Sequence, residues 1–158
     1  MPQRQPNRLR DYDYGSNGAY FITICTKDRE NIFWQPGLAA KNSGGMFPLS
    51  EEGRIVNQSI LNIPLIYPDV SVEKFVIMPN HIHMILCIHN IGKTRKTSIS
   101  TVVNQMKGYV SKNIGQSIWQ KLFHDHVIRN EDEYQKIWDY IDCNPIEWGN
   151  DIYHMPDQ

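Results

Sequence analysis

Two β-rich runs separated by a single Pro-Asn pair limit the possible folds of this chain more than any other feature. The first run is VSVEKFVIM, residues 70–78, and the second is HIHMILCIH, residues 81–89. Both are rich in β-branched residues, and a Pro-Asn pair between such runs is typical of a tight turn. The segment therefore predicts an antiparallel hairpin, which needs further elements packed against it to be stable.

Further strands and helices are predicted on both sides of the hairpin. They are a strand at 19–26, helices that begin after Ser50, after Ser98 and at Glu131, and one strand or two short ones within 117–130. Ser50 is a plausible N-cap, Pro64 is expected to end the first helix, and Gly115 to end the second. The order β-α-β-β-α-β-α predicts an α+β fold in which helices cover one side of a central antiparallel sheet.

The chain has 158 residues, of which 41% are hydrophobic and 21% charged, as in ordinary soluble globular proteins. We expect one domain over 1–158, with residues 1–17 as a flexible basic arm. The net charge of -1 hides an uneven distribution, because 91–121 contains six basic residues and no acidic one. Such a chain can present a basic face to nucleic acid, although a solvated helix face explains the pattern equally well.

The sequence predicts a cytoplasmic protein with no membrane association. Cys25, Cys87 and Cys143 lack the CxxC spacing of a structural zinc site and are odd in number, which argues against a disulfide framework. Two of them lie in apolar runs and are expected to be small core residues. The first ten residues are polar and basic with no apolar run behind them, so a signal peptide is not expected, and no run approaches membrane-spanning length.

His81 and His83 are the first candidate site residues. Residues two apart on a strand share one face, so the two imidazoles can bind one cation. They can equally well be two polar residues on the outer face of a strand. Ile82, Met84 and Leu86 would fill the opposite, core-facing side. The histidines are then on the other face, where two polar side chains require an explanation.

Two ligands do not make a metal site, and three groups of residues are candidates to complete it. His124 and His126 form a second His-x-His pair, while Asp125 between them would point to the other face. On the final predicted helix, Tyr140 and Asn144 are four residues apart and share one face. A carboxamide oxygen suits Mg²⁺ or Mn²⁺, and the phenol would lie beside the metal. Taken alone, Tyr140 is more often a core or boundary residue.

Other histidine-based sites fit the sequence less well. A cupin-like site would have a Glu soon after the His-x-His strand, and none occurs before Glu131. A two-histidine phosphodiesterase would have His-x-Thr or His-x-Ser twice. A zinc hydrolase usually adds a third histidine or a carboxylate at a recognisable spacing. These alternatives are weakened without being excluded.

The segments FVIMPNHIHMIL (75–86) and IWQKLFHDHVIRNEDEYQKIWDYIDCNP (118–145), joined by a basic helix, together resemble the single-tyrosine HUH transposases. Within them, the chain is most similar to the REP-associated tyrosine transposases of bacteria, in the IS200-like superfamily, from about Gly18 to Trp148. The resemblance implies a ferredoxin-like HUH fold. It also implies that His81 and His83 bind a divalent metal, that Asn144 is a third ligand where relatives often have Gln, and that Tyr140 is the nucleophile.

The activity implied by the resemblance is metal-dependent nicking and rejoining of single-stranded or hairpin DNA through a covalent 5′-phosphotyrosine. A phenol of ordinary pKa, about 10, is a poor nucleophile at pH 7, and Mg²⁺ or Mn²⁺ beside it would assist. The alternative is a domesticated or inactive nucleic-acid-binding protein of the same fold. Monomer and homodimer both stay open, as do the roles of His124 and His126. The residues expected to contact DNA are Lys93, Arg95, Lys96, Lys107, Lys112 and Arg129.

Overall fold

A four-stranded antiparallel sheet organises the computed structural model, which describes residues 18–35, 48–89 and 97–145. The strands are β1 (Gly18–Cys25), β2 (Val70–Ile77), β3 (His81–Ile88) and β4 (His124–Val127). The helices are α1 (Glu51–Leu61), α2 (Ile63–Ile66), α3 (Ile99–Ile114) and α4 (Glu131–Cys143), and a short 3-10 turn spans Lys27–Arg29. The strand order β2-β3-β1-β4 places β3 and β1 in the centre. The predicted α+β class and antiparallel sheet are confirmed.

The predicted hairpin is formed by β2 and β3, which are paired antiparallel from Ile77 opposite Ile82 to Val70 opposite Ile88. On its other edge, β3 pairs along its whole length with β1. Every residue of β3 is buried, because the strand has a neighbour on each edge and both of its faces are covered. The candidate histidines therefore lie on the most enclosed strand of the sheet.

The helix ends follow the capping signals of the sequence, with one exception. The Ser50 and Ser98 side chains accept hydrogen bonds from the backbone N–H groups of Gly53 and Thr101, at 3.0 and 3.1 Å. Gly115 ends α3 with a left-handed φ of 93°, which costs glycine little. The prediction that Pro64 ends the first helix is wrong. That helix stops earlier, and Pro64 lies in the first turn of α2, where no N–H needs a partner.

The two faces of the sheet are covered by different helices. Ile82, Met84 and Leu86 of β3 face the main core, which α1 and α3 complete. The helical residues of that core include Val56, Ile60, Val102, Val103 and Met106. On the other face, Ile85 and Cys87 pack with residues of α4, namely Tyr134 and Ile141. The helices thus lie on both sides of the sheet.

This arrangement corrects the expectation that all helices pack on one side. Both faces of β3 carry apolar residues, so both need cover. The last helix has an apolar stripe at helical spacing, formed by Tyr134, Ile137, Trp138 and Ile141, which suits it to cover the second face. A stripe of this kind shows that a helix needs a partner surface without showing which face of the sheet provides it.

All three cysteines are free thiols. The prediction that two of them are core residues is confirmed, since Cys25 and Cys87 are buried. Burial, together with the negative charge of Glu73, raises the pKa of the Cys87 thiol and keeps it protonated. Within the described ranges, the helices are all too short or too polar to cross a membrane.

Candidate functional site

The strand β3 places His81 and His83 on the sheet face that α4 covers. Neither imidazole is a surface group, since the relative exposures of the two residues are 0% and 2%. Their ring centroids are 4.6 Å apart, with the ring planes at 71°. The interpretation of the pair as polar residues on an outer strand face is therefore wrong, and two buried imidazoles in contact need a chemical explanation.

Each histidine has its Nδ1 atom next to a polar side chain of the sheet. His83 Nδ1 lies 2.8 Å from Oγ1 of Thr23, which is directly opposite on β1. His81 Nδ1 lies 2.8 Å from Oδ1 of Asn80, the preceding residue. The Nε2 atoms of both rings are buried as well. With both Nδ1 atoms engaged, Nε2 is the nitrogen through which each ring can bind a cation.

The surroundings keep both imidazoles neutral. Burial lowers the pKa of His81 to about 2, and the electrostatic effects of the neighbouring His83 and Arg29 side chains add to the lowering. An interaction with the Asn144 side chain acts in the opposite direction. Burial also lowers the pKa of His83 to about 3. A neutral imidazole offers a lone pair, which is the form that a metal ion requires.

The last helix brings Tyr140 and Asn144 to the histidines. Asn130 caps α4 by accepting a hydrogen bond from the Glu133 N–H at 2.9 Å. The Tyr140 ring lies edge-on to His83, with 5.3 Å between centroids, and the residue is 42% exposed. Asn144, the residue after α4, is 5% exposed. The structure thus brings together the four residues that the sequence analysis proposed as metal ligands and nucleophile.

The donor atoms at this site suit a divalent cation. Oδ1 of Asn144 is buried and accepts no hydrogen bond of ordinary geometry from the described residues, although the side chain lies near enough to raise the pKa of His81. The amide oxygen is a donor that suits Mg²⁺ or Mn²⁺, and neutral imidazole nitrogens bind divalent transition-metal ions. Among the described residues, no three His, Cys, Asp or Glu side chains are grouped to hold a metal, so a third donor beside the two imidazoles would have to be another kind of group, such as this amide.

Comparison with known proteins finds relatives that match most of the chain. No family model matches the sequence. An uncharacterised protein of Haemophilus influenzae is 32% identical over 174 residues, which cover 96% of this chain and 93% of that protein. A REP-associated tyrosine transposase of Escherichia coli K12 is 23% identical over 137 residues, covering 86% of this chain and 71% of the relative. The solved structure of a REP-associated tyrosine transposase bound to a REP hairpin has the same fold, with a TM-score of 0.61 at 20% identity and coverage of 94% of this chain and 75% of that one. The chain is thus a relative of the REP-associated tyrosine transposases.

As in the rest of this site, the sheet and α4 are in direct contact, and Lys74 of β2 holds α4 against the sheet. Its Nζ is 2.5 Å from Oδ1 of Asp142 and 4.6 Å from the centroid of the Trp138 ring. The two contacts lie on either side of Tyr140 along the helix, and the Phe21 ring packs beside Tyr140 at 6.2 Å between centroids. These contacts limit the positions that the Tyr140 ring can adopt.

Sequence reasoning missed three residues of this site: Thr23, Asn80 and Lys74. Asn80 was assigned only to the turn, although its position directly before His81 was a signal. Thr23 was an inconspicuous polar residue inside an apolar strand. Nothing in the sequence distinguished Lys74 from the other lysines of the chain. Their contacts arise only when β1, β2 and α4 meet β3.

The second His-x-His pair does not join the site. His124 and His126 are exposed on β4, and His126 Nε2 lies 3.0 Å from Glu133 Oε1. His124 is opposite Thr23, so it shares a sheet face with His83 but lies one strand beyond β1. Two strand spacings amount to about 10 Å between backbones, and Thr23 of β1 lies between His124 and the buried His83. Asp125 pairs with Ile22, whose side chain belongs to the main core, so the two point to the other face.

The basic residues predicted to contact DNA are distributed around the fold. Lys107 and Lys112 lie on α3, on the sheet side opposite the histidines. Lys107 Nζ donates hydrogen bonds to the backbone carbonyls of Gln120 and Lys121, at 2.9 and 3.3 Å, and partial burial lowers its pKa. Lys112 is exposed, and so is Arg129, which lies between β4 and α4. Three others, Lys93, Arg95 and Lys96, lie outside the described residues.

Proposed function

We propose that this transposase nicks and rejoins single-stranded DNA, with Tyr140 as the nucleophile and His81, His83 and Asn144 as ligands of Mg²⁺ or Mn²⁺. The observation that carries the proposal is the position of the Tyr140 ring, 5.3 Å from the ring of the buried His83. The related transposase of known structure is bound to a REP hairpin, which supports a DNA hairpin as the substrate here.

The proposed ligands are prepared for this role by their surroundings. His81 and His83 are neutral because burial lowers the pKa of each far below 7, so no proton has to leave before Nε2 binds a metal. Asn144 contributes an amide oxygen from the end of α4, and thereby links the helix that carries the nucleophile to the metal. When bound, the cation polarises the scissile phosphate and stabilises the charge that develops on its oxygens.

Tyr140 would carry out the covalent step. Its hydroxyl oxygen attacks the phosphorus, forming the tyrosyl O–P bond while the bond from phosphorus to the 3′ oxygen breaks. The phenol proton leaves to solvent, and the departing 3′ oxygen takes up a proton. A phosphodiester is exchanged for another phosphodiester, so attack by a 3′-hydroxyl in the reverse direction rejoins DNA and releases Tyr140 without ATP.

The burial pattern suits this division of roles. The histidines are enclosed between the sheet and α4, whereas Tyr140 is 42% exposed. A DNA phosphate can therefore approach Tyr140 from solvent while the proposed ligands stay protected from water. Lys74 holds the helix on either side of Tyr140 and Phe21 packs beside its ring, and this order lowers the entropy that must be lost to reach an attacking geometry.

Phosphate contacts are proposed for Lys93, Arg95, Lys96, Lys107, Lys112 and Arg129. Of those that the structure describes, Arg129 directly precedes the helix that carries Tyr140. Lys112 lies on the opposite side of the sheet and would touch a separate part of a folded hairpin. Replacing a lysine or arginine that contacts a phosphate weakens binding to all DNA sequences by a similar factor. It also reduces the slope of log affinity against log salt concentration by about 1.

The direct test is a covalent-adduct assay on a denaturing gel, with labelled single-stranded hairpin DNA from the gene's own flanks and Mn²⁺. We expect a detergent-resistant slow band with the wild type, and none with Tyr140→Phe or in EDTA. Tyr134→Phe is the matched control, because Tyr134 lies on the same helix but packs in the core beside Trp138. Retained DNA binding with no adduct would instead support a non-catalytic DNA-binding protein.

A further inference from the structure

Asn80 occupies the turn between β2 and β3, and both ends of its side-chain amide are engaged. The residue is 1% exposed. Its Oδ1 lies 2.8 Å from His81 Nδ1, and its Nδ2 donates to the backbone carbonyl of Arg29 at 3.3 Å. Its own backbone carbonyl accepts from the Thr26 N–H at 2.9 Å. The side chain is therefore held between the histidine and the segment that follows β1.

These contacts determine which way the Asn80 amide faces. A backbone carbonyl can only accept hydrogen bonds, so the atom that meets the Arg29 carbonyl must be the NH₂ group. The amide oxygen then faces His81 Nδ1, and since that oxygen can only accept, Nδ1 must carry the proton. A neutral imidazole has a single N–H proton. With that proton on Nδ1, the lone pair of His81 is on Nε2.

The Arg29 carbonyl reaches Asn80 through an unusual backbone conformation. Asp28 and Arg29 have φ values of 56° and 54°, in the left-handed region, and neither is glycine. Two successive non-glycine residues in this region are strained, and such a turn persists only where the surrounding structure holds it. Hydrogen bonds hold the turn, from the Arg29 N–H to the Thr26 carbonyl at 3.1 Å and from Thr26 Oγ1 to the Glu30 carbonyl at 2.9 Å. The strained turn presents the acceptor that orients the Asn80 amide.

We propose that Asn80 is a positioning residue that sets the Nδ1–H tautomer of His81. The consequence for metal binding, that the Nε2 lone pair is preset toward the cation, rests on the proposed function. His83 differs, because its neighbour Thr23 has a hydroxyl that can donate or accept and so does not impose a tautomer by itself. The two histidines are thus not equivalent: the tautomer of His81 is imposed before any ligand arrives.

The tautomer can be measured without metal. Long-range ¹H–¹⁵N correlation spectra of the full ¹⁵N-labelled chain are recorded in EDTA at pH 8, where even a histidine of ordinary pKa is mostly neutral. His81→Gln assigns the His81 ring signals. We expect a protonated, pyrrole-type Nδ1 and a pyridine-type Nε2 in the wild type and in Asn80→Asp, which keeps the acceptor. Asn80→Ala removes the acceptor, and a mixture of tautomers is expected.

A pyridine-type Nδ1 in the wild type, or an unchanged tautomer in a folded Asn80→Ala variant, would overturn the proposal. Backbone amide spectra establish that each variant is folded. Mn²⁺ titration calorimetry provides the second readout. Loss of an outer partner of this kind typically weakens metal affinity about 10–100-fold, so this loss is expected for Asn80→Ala and not for Asn80→Asp. If the tautomers behave as expected and the wild type binds no Mn²⁺, the assignment of Asn80 stands and the metal proposal fails.

Discussion

Mild acidification should destabilise the metal-free protein through its two buried histidines. The pKa values of His81 and His83 are about 2 and about 3 in the folded chain, against about 6.5 in an unfolded one. Between pH 6.5 and 3 the unfolded state therefore binds one more proton at each histidine. The stability that depends on the neutral pair is fully present above pH 6.5 and is lost progressively as the pH falls towards the folded pKa values.

The size of the effect follows from proton linkage. Well below pH 6.5, each histidine changes the free energy of unfolding by about 1.4 kcal/mol for every pH unit. From pH 7.0 to 5.5, which includes the half-titrated region, the integrated loss is about 1.3 kcal/mol per histidine, or roughly 2–3 kcal/mol for the pair. Both folded pKa values lie well below 5.5, so the result does not depend on their precise values. A domain of this size has a total stability of about 5–15 kcal/mol, so the loss is easily measured.

The assay is urea unfolding in EDTA at pH 7.0 and 5.5, for the wild type and for a His81→Gln/His83→Gln double variant. For each protein, the free energy of unfolding at pH 5.5 is subtracted from that at pH 7.0. Any destabilisation by the substitutions that is independent of pH cancels in this difference. We expect the double variant to lose roughly 2–3 kcal/mol less than the wild type on acidification. His124→Gln is the control, since His124 is exposed. An equal loss in the wild type and the double variant would refute the linkage to the buried pair.

Three further predictions concern the metal, the sheet and the helix packing. Mn²⁺ at about 100 times its dissociation constant should stabilise the wild type by about 2.7 kcal/mol in thermal unfolding, and a His83→Gln variant that gains as much would contradict the ligand assignment. Thr23→Val should weaken Mn²⁺ binding about 10-fold or more in calorimetry, because it removes the hydroxyl beside His83 Nδ1. Thr23→Ser keeps that hydroxyl and should bind Mn²⁺ as the wild type does, so equal affinities in the two variants would count against this role. Gly53→Ala should destabilise by about 2 kcal/mol or more in urea, since the added Cβ would lie 2.2 Å from the Phe33 carbonyl oxygen. Gly108→Ala, with open space around the added Cβ in α3, should instead stabilise by about 0.5–1 kcal/mol, and similar effects at the two glycines would show that the close contact does not decide the outcome.

Much of the fold could be predicted from the sequence because its signals are local. The caps at Ser50, Ser98 and Gly115 act on groups within a few residues, and the β2–β3 hairpin is specified by two runs and the turn between them. The alternation of side chains along a strand also placed His81 and His83 on one face, opposite Ile82. The resemblance to a family then suggested Tyr140 and Asn144 as their partners.

Only the tertiary structure showed that the histidine face is buried, that α4 covers it, and that Thr23 and Asn80 contact the imidazoles. The apolar stripe of α4 would fit either face of a sheet, because the hydrophobic effect is not directional. The contacts of Lys107 also appeared only in the tertiary structure. This predicted DNA contact has an ammonium group that donates hydrogen bonds to two backbone carbonyls in the segment before β4. Periodicity along the chain determines which side chains share a face. Which faces meet depends on contacts between distant segments, and at this site those contacts decide the chemistry of each histidine.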